Sequence, residues 1–287
     1  MKLLIQKIIT YIKNNLYVRS VLTIIAAIIT VLILILALDY LLPDETDSSQ
    51  YSYDKSCNVA GIELRGEVYT YLPVDSEGYK LYGNEDTVTS EDILYYIGQA
   101  KYDDDIKAIL IEVDSYGGSP VAAEEIANAI KNVQKPVVAF IREAGVSAAY
   151  YAITSADYIF ATRNSDVGSI GITQSYLENS SFNQNEGYSF IQLSTGKFKD
   201  SGNPDKPTTE EDRELFMRDL NIIYQNFIET VSVNRNIPIE RVRAIADGST
   251  VLGAQAKELD LIDEVGGYAD AQRYLEDVLG EDVDVCW

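Results

Sequence analysis

Residues 107–162, KAILIEVDSYGGSPVAAEEIANAIKNVQKPVVAFIREAGVSAAYYAITSADYIFAT, decide the fold. Three β-rich runs stand in it: Lys107–Val113 (KAILIEV), Pro136–Ile141 (PVVAFI) and Tyr158–Thr162 (YIFAT). Helical stretches, Pro120–Val133 and Ala148–Ala156, separate them. Near-continuous apolar strands alternating with helices predict an α/β domain with parallel strands, since a parallel pair needs a crossover that returns the chain to the same end of the sheet. Two of the connections stand out: Asp114-Ser115-Tyr116-Gly117-Gly118, with its glycine pair, and Gly145-Val146-Ser147-Ala148-Ala149, a run of small residues.

The same pattern extends outward. In Val59–Leu72, the apolar residues Ile62, Leu64, Val68 and Leu72 fall on even positions with Thr70, and Gly66 interrupts them, which predicts a strand with a break near the glycine. Glu91–Lys101 reads as a helix with Ile93, Leu94, Ile97 and Ala100 on one face. Beyond Thr208 the chain turns helical, from a capped start at Thr208-Thr209-Glu210-Glu211 through Leu215–Val233. Pro238–Ala246, Gly253–Leu259 and Tyr268–Leu279 read as shorter helices, with strand-like Leu261–Val265 between the last two.

The N-terminus is of another kind. Ser20–Leu38 (SVLTIIAAIITVLILILAL) is uncharged and long enough to cross roughly 30 Å of hydrocarbon as a helix. Lys2, Lys7, Lys13 and Arg19 precede it, and Asp39, Asp44, Glu45 and Asp47 follow. By the positive-inside rule, residues 1–19 are expected in the cytoplasm, 20–42 as a single membrane anchor, 43–56 as a polar linker and 57–287 as an extracytoplasmic domain. A cleaved signal peptide is the competing reading. Its apolar core is normally ~7–15 residues, shorter than this one, and Ala37-Leu38-Asp39 is a poor cleavage site.

Composition narrows the chemistry. Residues 43–287 hold 19 basic and 44 acidic residues, a net of −25, which repels phosphate backbones and argues against nucleic-acid binding. The chain has no histidine, so a Ser-His-Asp triad is excluded and any nucleophilic serine must use a lysine or carboxylate as base. Its two cysteines, Cys57 and Cys286, lie near the ends of the outer domain and read equally as a disulfide or a free pair. Neither has metal-ligand spacing, and no metal or cofactor is expected.

Four segments could carry chemistry. Gly117-Gly118 after a strand allows a sharp turn with outward amides that would hold an oxyanion, although such a pair is more often only a turn. Ser147 begins a helix, where a serine is more often an N-cap than a nucleophile. Asp166-Val167-Gly168-Ser169-Ile170-Gly171-Ile172 reads by itself as a β-turn. Ser194–Gly202 (STGKFKDSG) carries Lys197 and Lys199, and spacing does not separate them.

In this order, IKAILIEVDSYGGSP, GVSAAYYAITSADYIFA, DVGSIGI, GKFKDSG and IADGSTVLGAQAKELDLIDEVGG resemble the bacterial signal peptide peptidase A family of serine–lysine proteases, over about Val59 to Leu279. The resemblance implies an α/β, Clp/crotonase-like fold of repeated ββα-type units behind one N-terminal transmembrane helix. It assigns Ser147 as nucleophile, Lys199 as general base and Ser169 as the hydroxyl orienting the lysine. Gly117 and Ala148 correspond to the oxyanion hole, with Gly118 close by. Tyr116 departs from the family's frequent proline, and Ala148-Ala149 from its glycines. The activity implied is endopeptidase cleavage of released signal peptides and similar apolar peptides, by a homo-oligomer on the outer side of the plasma (inner) membrane. A neutral Lys199 requires desolvation, so it is expected to leave solvent, against apolar neighbours or a second chain. The alternatives are a catalytically silent membrane scaffold of the same fold, or a crotonase-like acyl-CoA enzyme, against which stand the placement outside the cytoplasm and the lack of a basic cluster.

Overall fold

The computed structural model describes residues 15–41, 57–73 and 87–287. The chain divides into two units, residues 1–52 and 53–287, each described by itself. Residues 1–14 of the expected N-terminal segment and the expected linker 43–56 lie outside the described residues. In the first unit, Leu16–Leu41 forms helix α1, 26 residues and so about 39 Å long. Among the described residues no helix is long and apolar enough to cross a membrane.

In chain order the second unit comprises β1 (Val59–Tyr69), β2 (Thr87–Thr89), α2 (Ser90–Tyr102), β3 (Ala108–Gly118), α3 (Pro120–Asn132), β4 (Val137–Val146), α4 (Ala148–Ile153), β5 (Tyr158–Ala161) and β6 (Asp166–Gly168). There follow α5 (Ser180–Asn185), α6 (Glu210–Asn234), α7 (Ile239–Ile245), β7 (Thr250–Leu252), α8 (Gly253–Glu258), β8 (Glu264–Val265), α9 (Tyr268–Leu279) and β9 (Val285–Cys286). The sheet runs β2-β1-β3-β4-β5-β8, and every pair along that path is parallel. Mixed α/β architecture on a parallel sheet fits the expected Clp/crotonase-like fold.

Alternation along the central strands divides their side chains between two layers. Ile62, Leu64, Ile109, Ile111, Ala139, Ile141 and Ile159 join one core with α2, α3, α4 and α6. Val59, Ala108, Leu110, Val138, Phe140 and Phe160 face the other way, onto Ala271 and Leu275 of α9. Helix α3 buries Ala122, Ala123, Ile126, Ala127 and Ile130, a stripe at three-and-four spacing. It starts where Ser119 caps it and Pro120 takes the first turn, a position that needs no amide hydrogen.

Several boundaries differ from expectation. The segment Asp114–Gly118 is the tail of β3, carried past Val113 by a register shift, and not a turn after the strand. The same irregularity lies opposite Gly66 in β1, where the sequence predicted a break. β4 likewise runs to Val146, pairing first with β5 and then, over Ala144–Val146, with β6. Helix α4 stops at Ile153, and only Glu264–Val265 of the expected Leu261–Val265 is strand. β9 pairs with Val59–Ala60, which brings Cys57 beside Cys286 with Cα atoms 5.9 Å apart, and the two are joined as a disulfide.

Candidate active site

The forks in β3 and β4 put two chain reversals next to each other. From Ala144 to Tyr150 every residue is buried except Ser147. Ser147 has φ 53° and ψ −126°, the left-handed region that a non-glycine residue adopts only under constraint. The constraint is visible: its N–H donates to the Gly168 carbonyl at 2.8 Å and its carbonyl accepts from the Tyr151 N–H at 2.9 Å. Its hydroxyl caps nothing, so the N-cap role is not the one it plays here. A sharp strand-to-helix corner of this kind presents a side chain at the end of a sheet, as nucleophile elbows do.

Gly117 packs against that corner. A Cβ built on it would lie 2.7 Å from Ser147 Cβ, 3.1 Å from Ser147 Oγ and 3.1 Å from the Ala148 nitrogen. Its φ of +105° is likewise open to glycine and strained for other residues. Gly118 is closed in from the other side, where an added Cβ would stand 2.2 Å from the Val68 carbonyl oxygen. The buried Ser115 hydroxyl donates to the Gly66 carbonyl at 2.5 Å and accepts the Gly117 N–H at 3.1 Å. The Gly117 amide is therefore already engaged. Sequence reasoning passed over Ser115, because a serine inside a strand carries no signal until its neighbours are known.

Ser147, Ala148 and Gly118 open onto a cavity of about 180 Å³. Its walls are mainly apolar: Val121, Ala123, Tyr151, Ile172, Ile223 and Phe227. The last two come from α6, which the sequence marked only as an amphipathic helix. Tyr151 is held by a tilted ring contact with Phe227 and accepts the Thr230 hydroxyl at 3.0 Å. Tyr116, the departure from the family pattern, stands 65% exposed, and its phenol is raised by Glu143, by burial and by Asp166 and Asp114. Acidic side chains thus collect on that side of the β3 tail.

The remaining expected residues are placed apart. Ser169, φ 51°, gives its hydroxyl to the Gly248 carbonyl at 2.9 Å and lines a neighbouring open groove that shares Gly171, Ile172 and Thr173 with the cavity. Lys199 lines neither space and is exposed in the single chain, so the covering expected of it does not come from apolar neighbours among the described residues. The physical reason is that residues 187–199 form an open stretch, every member of it exposed, with no element among the described residues to cover the amine. The two lysines are nonetheless distinct. Lys197 Nζ is engaged by the Glu211 carboxylate at 2.5 Å and lies over the Phe198 ring. Among the described residues Lys199 Nζ has no hydrogen-bond or ion-pair partner.

Residues 129–282 match peptidase family S49. A Methanocaldococcus jannaschii protein named "Putative protease MJ0651" is 35% identical over 191 residues, covering 65% of this chain and 61% of its own length. "Putative signal peptide peptidase SppA" of Enterococcus faecium is 29% identical over 63% of this chain and 54% of its own. "Protease 4" of Haemophilus influenzae is 28% identical over 85% of this chain. The chain therefore spans 61%, 54% and 38% of the lengths of these three relatives.

Proposed function

Because the chain belongs to peptidase family S49, we propose that it is a membrane-anchored serine endopeptidase in which Ser147 is the nucleophile and Lys199 the general base. The observation that carries this reading is the strained corner at Ser147, whose uncapped hydroxyl lies against Gly117 and beside an apolar cavity. The neutral amine of Lys199 takes the hydroxyl proton while Ser147 Oγ attacks the peptide carbonyl. The tetrahedral oxyanion collapses, the leaving nitrogen takes that proton from the lysine, and an acyl-serine remains. Water, deprotonated by the same amine, then hydrolyses the ester. With Gly117 committed to Ser115, the amides of Gly118 and Ala148 are the pair we assign to the oxyanion. Ser169 is assigned to orient the lysine.

A lysine works as a base only if its pKa falls from ~10.4 to about 7–8, which costs roughly 4 kcal/mol and calls for desolvation. A single chain leaves Lys199 in water, so the proposal includes a homo-oligomer in which a second copy covers it. Ile191 and Leu193 stand 79% and 94% exposed on the open stretch that ends at this lysine, a poor surface for a lone soluble subunit. The anchor is proposed on similar grounds. Val31, Leu32, Ile33 and Leu34 of α1 are consecutive, so they point to all sides, and all are more than half exposed. A helix apolar all round suits hydrocarbon. Signal peptides left in the bilayer, with apolar side chains that suit the cavity, are the substrates we assign, and the site is placed outside the cytoplasm.

Turnover of a signal-peptide-like substrate by the full chain tests the reading. Ser147→Ala and Lys199→Ala are each expected to reduce it to background; undiminished activity in either removes the dyad. The exposed Lys199 is the one observation that favours a catalytically silent scaffold, and the same assay separates the two.

A further inference from the structure

We propose that Asp212 is a positioning residue for Lys199, holding the lysine-bearing turn to the helix that lines the cavity at Ser147. The inference rests on the Ser–Lys reading above and adds to it how one chain presents its base. Lys199 lies in a series of tight turns: its N–H donates to the Gly196 carbonyl (3.3 Å), Ser201 N–H to Phe198 (3.2 Å) and Asn203 N–H to Asp200 (3.4 Å). Turns of this kind carry little rigidity of their own. Two side chains pin them from below. Asp200 accepts from Asn203 Nδ2 at 3.2 Å and faces Lys206 Nζ at 3.6 Å. Ser201 donates its hydroxyl to Asp212 Oδ1 at 2.5 Å.

Asp212 is 5% exposed and divides its two oxygens between two tasks. Oδ2 accepts the Thr209 N–H at 3.1 Å and the Thr209 hydroxyl at 2.7 Å, while the Asp212 N–H returns to Thr209 Oγ1. That exchange is a complete helix cap, and it needs only one carboxylate oxygen. The bond from Oδ1 to Ser201 is superfluous for capping α6, and what it adds is a fixed distance between the helix start and a point two residues beyond Lys199. The same helix, eleven to fifteen residues on, supplies Ile223, Asn226 and Phe227 to the cavity. A base on a flexible four-carbon stem gains reactivity when its backbone is held, because misplacement of a reacting group by about 1 Å costs on the order of a hundredfold.

The experiment compares kcat and KM of Ser201→Ala, Ser201→Thr, Thr89→Ala and Lys199→Ala in the full-length chain, on a fluorogenic peptide with an apolar residue before the scissile bond. Thr89 caps α2 by giving its hydroxyl to the Asp92 carboxylate and accepting the Asp92 N–H, remote from this turn in sequence, and controls for lost stability alone. Ser201→Ala is expected to lower kcat about tenfold or more with KM within about twofold, and Ser201→Thr, which keeps the hydroxyl, to restore it. The proposal is overturned if Ser201→Ala stays within about twofold of wild type in kcat, or if Thr89→Ala loses as much kcat for the same loss of Tm. Full activity in Lys199→Ala would instead remove the dyad, so the two failures are told apart.

Discussion

Replacing Gly117 by alanine tests the geometry at its tightest point. The new methyl would stand 2.7 Å from Ser147 Cβ, where carbon atoms settle at about 3.5–4.0 Å, so the β3 tail and the serine corner must part by about 1 Å. The atoms it meets are those of Ser147, the proposed nucleophile, and the Ala148 nitrogen, not the end of a flexible side chain, so the displacement falls on the groups proposed to react. A shift of that size costs on the order of a hundredfold in kcat/KM, or about 2.7 kcal/mol of transition-state stabilisation. The φ of +105° adds backbone strain of about 1–3 kcal/mol, which lowers Tm by a few degrees. Gly280→Ala is the control, because Gly280 also has a left-handed φ (+71°) but a Cβ there meets nothing within 4 Å. The assay is kcat/KM on an apolar fluorogenic peptide, read beside thermal melting for both variants. Gly280→Ala should lose a little stability and no activity. If Gly117→Ala keeps more than about a tenth of wild-type kcat/KM, the packing of this strand against a catalytic serine is refuted.

Other parts of the same geometry make predictions of their own. Val121 stands 55% exposed at the cavity, so Val121→Trp should raise KM about fivefold with Tm unchanged, and an unaltered KM would detach the cavity from substrate binding. The Cys57–Cys286 disulfide closes a loop of 229 residues, worth about 5 kcal/mol in the chain-entropy account; Cys57→Ser should lower unfolding free energy in urea by several kcal/mol, and a loss below about 1 would contradict it. Hydrogen bonds from Ser201 and Thr209 hold the Asp212 carboxyl down at about 2. Its depressed folded pKa makes the contribution full above the unfolded value of about 3.9 and lost as pH falls toward about 2. Acid melts of Asp212→Asn should therefore flatten over that window relative to wild type.

What the sequence made legible was local. Ile109, Ile111 and Val113, the Ala122–Ile130 stripe and the Thr209 cap each announce themselves within a few residues, and each forms the element expected. The Gly66 break was legible for the same reason. The extension of β3 through Asp114–Gly118 was not, because two glycines look like a turn until a neighbouring strand is known to accept the shifted register. Pairing of Val59–Ala60 with the last two strand residues, and hence the disulfide, depends on chain segments over 200 residues apart. Local periodicity carries no such information. At the site, resemblance singled out Ser147 and Lys199, but only the folded structure distinguishes Lys197, engaged by Glu211, from Lys199, which has no partner among the described residues, or shows that the Gly117 amide is taken by Ser115.

The most direct test of the central claim is intact-mass and peptide mapping after exposure of the full chain to a fluorophosphonate probe at neutral pH. The account predicts one adduct, on Ser147, formed at a rate that collapses in Lys199→Ala and is absent in Ser147→Ala. An adduct on another residue, or labelling of Lys199→Ala at the wild-type rate, would contradict it.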